Sequence, residues 1–360
     1  MEGVHQLKKD YPWTQTPLVV SAPMRLIALA DMAVEVSKAG GLGFISSGTD
    51  TSTLAHELQA ATSLLQHCTL PTESDTLPLG IGFINWSADL ATALPLIRKY
   101  RPAAVWFFAP SSLSSLQEWT AQTRAASPHT KIWIQIGSVR EALDAVSHAA
   151  PDVLVVQGTD AGGHGLARGA SLFTLLPEVH DALCQQQAAQ STSSSMPVLA
   201  AAGGITEGRG AAAALTLGAA ALVLGTRFLA APEARISHGY RAAILSAVDG
   251  GQCTVRTNVY DKLRGTTGWA ATHNARGVIN RSYSDAVAGM SEDENKRAYE
   301  REVEKGDDGW GVEGRMTTYA GSGVGLIKTV QPAGEIVREV REGARGVVEG
   351  MYSWSAKEKG

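Results

Sequence analysis

Short runs of β-branched and other apolar residues alternate along the first two-thirds of the chain with longer stretches in which Ala and Leu recur at helical spacing. This rhythm predicts strands at Leu18–Ala22, Gly43–Ser46, Leu79–Ile84, Ala103–Phe108, Lys131–Ile136, Asp152–Val156, Val198–Ala201 and Ala221–Leu224. Between them it predicts helices at Ala28–Ala39, Ser52–Gln66, Ala88–Lys99, Ser112–Ala125, Val139–His148, Ser171–Gln187 and Glu207–Leu217. Eight strands separated by helices is the count at which a parallel sheet closes on itself, with right-handed crossovers and strands covered on both faces. The expected fold is therefore α/β, a (β/α)8 TIM barrel, with a doubly wound open sheet as the competing arrangement. Two internal echoes, "VEVSKAGGLGFIS" and "AALTLGAAALVLG", each run helix, small-residue turn, strand, and favour the barrel.

After Phe228 the rhythm is lost. The mixed stretch that follows holds "VRTNVYDKLRGTTGW" and a segment dense in both charge signs, "SEDENKRAYEREVEKGDDG", which reads as a solvated helix. Near the end a Gly-rich loop precedes an amphipathic helix opening at Pro332, a favoured first-turn residue, and this supplies the eighth barrel helix. The expected organisation is a barrel from residues 1–231 and 318–360, with 232–317 as a smaller inserted subdomain over its mouth.

Composition narrows the function. With 360 residues, 44% hydrophobic, 18% charged and 38 glycines, the chain has ample core and many tight turns. Its net charge of −4, without a Lys/Arg run, offers no surface for nucleic acid or an anionic membrane, so a small-molecule partner is expected. The N-terminus carries no apolar core of signal-peptide length, and the most apolar stretch, Ala211–Gly225, is too short to span a bilayer. Cys68, Cys184 and Cys253 are scattered, without metal or redox spacing, and read as reduced thiols; the expected location is cytoplasmic.

The chemistry concentrates at strand ends. In "VVQGTDAGGHG" an apolar strand runs into a Gly-rich segment that carries one titratable ring, His164, on the catalytic face of a barrel, where a proton acceptor near neutral pH is useful. A loop histidine with a structural hydrogen bond is the bland alternative, and it is preferred for His56, His67, His148 and His180. The segments after strands seven and eight, "AAGGITEGRG" and "GTR", bring Gly203, Gly204, Gly225 and Thr226 to the position where barrels bind phosphate, with the helix beginning near Glu207 expected to aim free N–H groups at it. No P-loop, metal-spaced cluster, nucleophile elbow or paired strand-end carboxylates appear, so the hard chemistry falls to a phosphate-bearing cofactor.

Several motifs in order, "APM" from Ala22, "VSKAGGLGFISSG" from Val36, "QGTDAGGHG" from Gln157, "PVLAAAGGITEGRGAAAALTLGAAALVLGTRFL" from Pro197 and "AGSGVGLI" from Ala320, resemble the nitronate monooxygenases, FMN-dependent (β/α)8 enzymes. The likeness spans most of the chain and is weakest between Pro232 and Thr317. It implies oxidation of an alkyl nitronate or nitroalkane by O2 to a carbonyl compound and nitrite, with FMN, without NAD(P)H and through one-electron transfer to the flavin. It further implies that His164 is catalytic and that FMN is bound by Ala22, Pro23, Met24, Gln135, Gln157, Ala161, Gly162, Gly163, Gly203, Gly204, Gly225 and Thr226, with no metal; a homodimer is the expected assembly. Where relatives read "HRG" this chain has "HGLARG", so the matching arginine would be Arg168; where some place an asparagine beside the flavin this chain has Gly82, with Asn85 nearby. The competing reading is a flavin-dependent enoyl-acyl-carrier-protein reductase using NAD(P)H. Two lesser ones are a non-catalytic phosphate-sensing barrel and an inosine-monophosphate-dehydrogenase-like enzyme, the latter disfavoured because no cysteine follows strand six until Cys184.

Overall fold

In the computed structural model, which describes residues 2–68, 70–72, 75–190 and 196–357, strands and helices alternate as the apolar rhythm predicts. The order is α1 (Glu2–Asp10), β1 (Leu18–Ser21), α2 (Ala30–Lys38), β2 (Leu42–Gly48), α3 (Leu54–Leu65), β3 (Leu77–Ile84), α4 (Leu90–Tyr100), β4 (Pro102–Phe108), α5 (Leu113–Ala126), β5 (Lys131–Ile136), α6 (Val139–Ala149) and β6 (Val153–Gln157). It continues through β7 (Gly163–Leu166), α7 (Leu172–Gln190), β8 (Val198–Ala202), α8 (Gly208–Thr216), β9 (Ala221–Leu224), α9 (His238–Ser246), α10 (Gly250–Cys253), β10 (Thr254–Thr257), α11 (Val259–Arg264), β11 (His273–Val278), α12 (Arg281–Val287), α13 (Glu292–Val303) and α14 (Ala333–Lys357). Strands β1–β6, β8 and β9 form a closed parallel barrel: β9 pairs with β1 from Leu18↔Ala221 to Ser21↔Leu224. The fold is a TIM barrel, and the open-sheet alternative is excluded by this closure.

Strand alternation sends successive side chains to opposite faces, and both faces are dry here. Val20, Phe44, Trp106, Trp133, Val155 and Val223 point into the barrel interior, while their neighbours Val19, Ile45, Val105, Ile134, Val156 and Leu222 join the core beneath the helices. Inside, Phe44, Trp106 and Trp133 pack with ring centroids 5.2–6.0 Å apart, and β3 makes room for them: a Cβ at Gly80 would stand 2.2 Å from the Phe44 ring. Trp133 is fully buried and donates from Nε1 to the Tyr11 hydroxyl at 2.7 Å. Trp133→Ala should therefore cost about 3–5 kcal/mol, seen as a lower guanidinium midpoint by circular dichroism; an unchanged midpoint would mean that the interior aromatics do not hold the barrel.

Before Phe228 two elements lie outside the predicted rhythm. Helix α1 has too few apolar residues to register as a periodic segment, yet it delivers Leu7, and the chain after it Tyr11 and Trp13, to the barrel interior's cluster, with Asp10 paired to Lys131 at 2.9 Å. Strand β7 is the second; it leaves the barrel between β6 and α7 and pairs antiparallel with β11, which pairs in turn with β10. At the far end of the chain α14 begins just after Pro332 and packs against α8 and α2, filling the place of the eighth barrel helix. The charge-dense segment forms α13, closed by a Ser291–Glu294 capping box, and its buried Asn295, Ala298 and Tyr299 make it a packed rather than a fully solvated helix. Residues 1, 69, 73, 74, 191–195 and 358–360 of the expected barrel range lie outside the described residues. Among the described residues no helix is long and apolar enough to cross a membrane.

Candidate active site

Strand β6 is entirely buried up to Val156, and at its C-terminal end the chain emerges as the turn Gly158–Gly162 before entering β7. This turn is held from several sides. The Thr159 carbonyl accepts from Nε of both Arg256 and Arg276 at 3.2 Å, the Ala161 carbonyl from Arg256 Nη2 at 3.1 Å, and Asp160 from Ser322 through both backbone (2.9 Å) and side chain (2.7 Å). Burial, and secondarily the nearby Arg276, lowers the Arg256 pKa to about 10, so both guanidiniums stay charged at neutral pH. His164 is thus not in a flexible loop, as its glycine neighbours suggest; it is the second residue of β7, in register with Ala275 of β11. The glycines serve fit instead: Gly163 adopts φ +67°, which side-chain-bearing residues avoid, and a Cβ at Gly162 would meet the Gly321 nitrogen at 2.4 Å.

The His164 imidazole is gripped by residues from the irregular stretch. Its Nε2 lies 2.9 Å from Asp261 Oδ1, the same oxygen that accepts from the Thr266 hydroxyl at 2.9 Å and the Tyr319 hydroxyl at 3.2 Å. Asp261 is buried, its side chain 7% exposed, and these donors satisfy it. Burial is the main reason that the Tyr319 phenol titrates well above its ordinary range, the Asp261 charge adding to it and Arg264 opposing it; the hydroxyl stays a donor. The Trp269 indole stacks on the imidazole, 3.9 Å between centroids and 10° from parallel.

His164 forms one wall of a cavity of about 740 Å³ at the C-terminal ends of the barrel strands, within the usual range for a cofactor or ligand site. The structure brings Ala22, Pro23, Met24, Gln135, Gln157, Ala161, Gly162, Gly163, Gly203, Gly204, Gly225 and Thr226 together on this same wall system. Gln135 is oriented by Trp106, whose Nε1 donates to its Oε1 at 3.1 Å, and Gln157 donates to the His164 carbonyl at 3.3 Å.

Two expectations change at this level, and the place of Asn85, which the sequence left open, becomes visible. The first turn of α8 is partly closed to an anion: the Glu207 carboxylate caps it, accepting from Arg209 N and Gly210 N, each at 3.1 Å. What the turn offers instead is Thr206, whose Oγ1 is buried at the cavity wall with no partner among the described residues. Arg168 is exposed and absent from the cavity wall, because β7 ends at Leu166 and the chain turns away. Asn85 is likewise absent; its Oδ1 accepts from Phe108 N at 2.9 Å and ties β3 to β4, whereas Gly82 lines the cavity behind Pro23.

The site fits a phosphate-bearing flavin. Gly203 and Gly204 sit at φ +102° and +77°, an orphaned threonine hydroxyl stands beside them, and Thr226 Oγ1 accepts from Gly321 N at 3.0 Å, so its own hydrogen is free to donate. Among the described residues no group of three or more His, Cys, Asp or Glu is placed to hold a metal ion.

The model of the family described as nitronate monooxygenase matches residues 112–343, more than half of the chain. The chain belongs to the nitronate monooxygenase family. It is 47% identical to the nitronate monooxygenase npaC of Metarhizium robertsii over 96% of each protein, and 37% identical to a nitronate monooxygenase of Neurospora crassa over 98% of this chain and 95% of that one. The structure of nitroalkane oxidase from Streptomyces ansochromogenes superposes with a TM-score of 0.71 at 22% identity, covering 96% of this chain and 99% of that one, which supports the shared fold. Sequence reasoning missed Asp261, Trp269 and Tyr319. Asp261 is 97 residues from His164 in a stretch without periodicity, and the only visible signal was a Trp and an acidic residue close together in "YDKLRGTTGW".

Proposed function

We propose that this nitronate monooxygenase family member oxidises alkyl nitronates, and nitroalkanes after their deprotonation, with O2 to a carbonyl compound and nitrite, using FMN and no NAD(P)H. One observation carries the reading: a single imidazole, oriented by a buried carboxylate, shares a cavity with two glycine turns suited to a phosphate. Bound FMN supplies the electron acceptor for the nitronate and the route by which O2 is reduced. The chain's own residues bind and prepare. Backbone around Gly203, Gly204 and Gly225, with the Thr206 and Thr226 hydroxyls, would hold the phosphate, while Ala22, Pro23, Met24, Gln135, Gln157, Ala161, Gly162 and Gly163 would hold the ring system.

His164 would act as base. With Nε2–H donating to Asp261, the lone pair resides on Nδ1, which takes the proton from the carbon bearing the nitro group; the carboxylate then steadies the imidazolium that results. A nitronate, already deprotonated, bypasses this step. The stretch 232–317 would act as an inserted unit over the barrel mouth, for Arg264, Trp269, Tyr299, Trp310 and Met316 all reach the cavity from it.

Purified protein should be yellow, and should consume O2 and release nitrite from propane-2-nitronate without NADH. A protein that stays colourless after reconstitution with FMN would end the reading. Anaerobic bleaching of the flavin by NADH, without nitrite formation from the nitronate, would favour the enoyl reductase.

A further inference from the structure

We propose that Trp269 is a positioning residue for the His164 imidazole, acting with Asp261 to fix the plane of the ring. The argument is geometric. One hydrogen bond, Nε2 to Asp261 Oδ1 at 2.9 Å, anchors a single atom of the imidazole and leaves the ring free to swing about that contact. A second ring lying 3.9 Å away and 10° from parallel removes this freedom, because any swing drives one edge of the imidazole into the indole. With the Tyr319 ring edge-on to the imidazole, 5.5 Å between centroids and 60° between planes, these contacts define position and tilt, and the indole is the one that covers the ring face.

The indole can do this only if it is itself immobile, and its surroundings make it so. Trp86 and Phe108 stand with ring centroids 5.7 Å from it, and His273 6.1 Å away on the next strand. The backbone before it is seated on Trp86: a Cβ at Gly268 would stand 2.4 Å from that ring. The segment between α11 and β11 is therefore wedged between the end of β3 and the imidazole, with Asp261 delivered by α11 at one end and Trp269 near the other. Placing both constraints on one short piece of chain keeps them in step.

The inference rests on His164 being the base for neutral nitroalkanes, so its test has an arm that does not. In holoenzyme labelled at histidine Cε1, the His164 resonance, assigned by its loss in H164N, should carry the upfield ring-current shift of a face-stacked proton; W269A should move it downfield and W269F should return most of the shift. Independently, W269A should lose roughly 10–100-fold in kcat/KM per bound flavin on neutral 2-nitropropane, the scale of a misplaced catalytic group, and clearly less on propane-2-nitronate; W269F should recover most of the difference. An unmoved resonance in W269A, unchanged turnover of 2-nitropropane, or equal losses on both substrates would overturn the proposal. A wild-type protein inert towards both substrates would instead remove the assigned function and leave the resonance arm to decide the geometry.

Discussion

His164→Ala should keep its flavin and lose turnover of a neutral nitroalkane by roughly 10²–10⁴-fold, the usual contribution of a positioned base. The substitution is clean because β7 is held by its backbone: Ala275 opposite His164 and Arg276 opposite Gly163 pair with it in either case, and Arg256 and Arg276 still brace the turn before it. Nor does Asp261 become an orphaned charge, for the Thr266 and Tyr319 hydroxyls continue to donate to it. Turnover of a preformed nitronate, which needs no proton removed, should fall far less. Oxygen-electrode rates on 2-nitropropane and on its nitronate, normalised to flavin absorbance, give the comparison. A variant with wild-type rates on the neutral substrate would return His164 to a structural role.

Gly225→Val should release FMN from a folded protein. A Cβ at this position would stand 3.7 Å from the Ala22 Cβ and 4.0 Å from the Met24 sulfur, which is ordinary contact, and the backbone φ of −110° is accessible to any residue. The fold therefore tolerates the change, but the methyl groups beyond Cβ occupy the cavity wall. Overpacking of about 1–3 kcal/mol corresponds to roughly a 5- to 150-fold rise in Kd for the flavin, measured by titrating apoprotein with FMN and following the quenching of its fluorescence. Unchanged affinity would place the phosphate elsewhere. Gly203 and Gly204 make poorer probes, although the sequence singles them out equally. Both have positive φ, and a Cβ at Gly203 would stand 2.8 Å from the Gly158 carbonyl while one at Gly204 would face Asp160 at 3.2 Å, so substitutions there distort the β6–β7 turn as well as the cavity.

The two glycine turns and the histidine were legible because each lies a few residues after a barrel strand, and strands announce themselves through unbroken apolar, Val-rich runs such as "VLVV". The role of the helix at Glu207 was not legible. An acidic residue at a helix start reads equally as a cap that consumes the free N–H groups or as a neighbour that leaves them open, and only the 3.1 Å contacts to Arg209 and Gly210 decide it. That His164 lies on a paired strand was not legible for a related reason. Glycine density suggests mobility, but here Gly162 is small because Gly321 abuts it, and the strand pairing that immobilises His164 comes from a partner more than a hundred residues later.

By itself the chain's apolar rhythm pointed to the barrel, to the end of it on which chemistry occurs, and to His164 and the glycine turns there, since these follow from period, count and short-range order; the other residues of the cavity wall came from the family resemblance, and closure of the sheet from the β9–β1 pairing. Tertiary structure alone decided what surrounds the imidazole. Asp261, Trp269 and Tyr319 lie in chain segments with no period to read, and their approach to His164 is set by how β7, β10 and β11 pair above the barrel. Such long-range pairing depends on the fit of whole surfaces, which leaves no trace in local spacing.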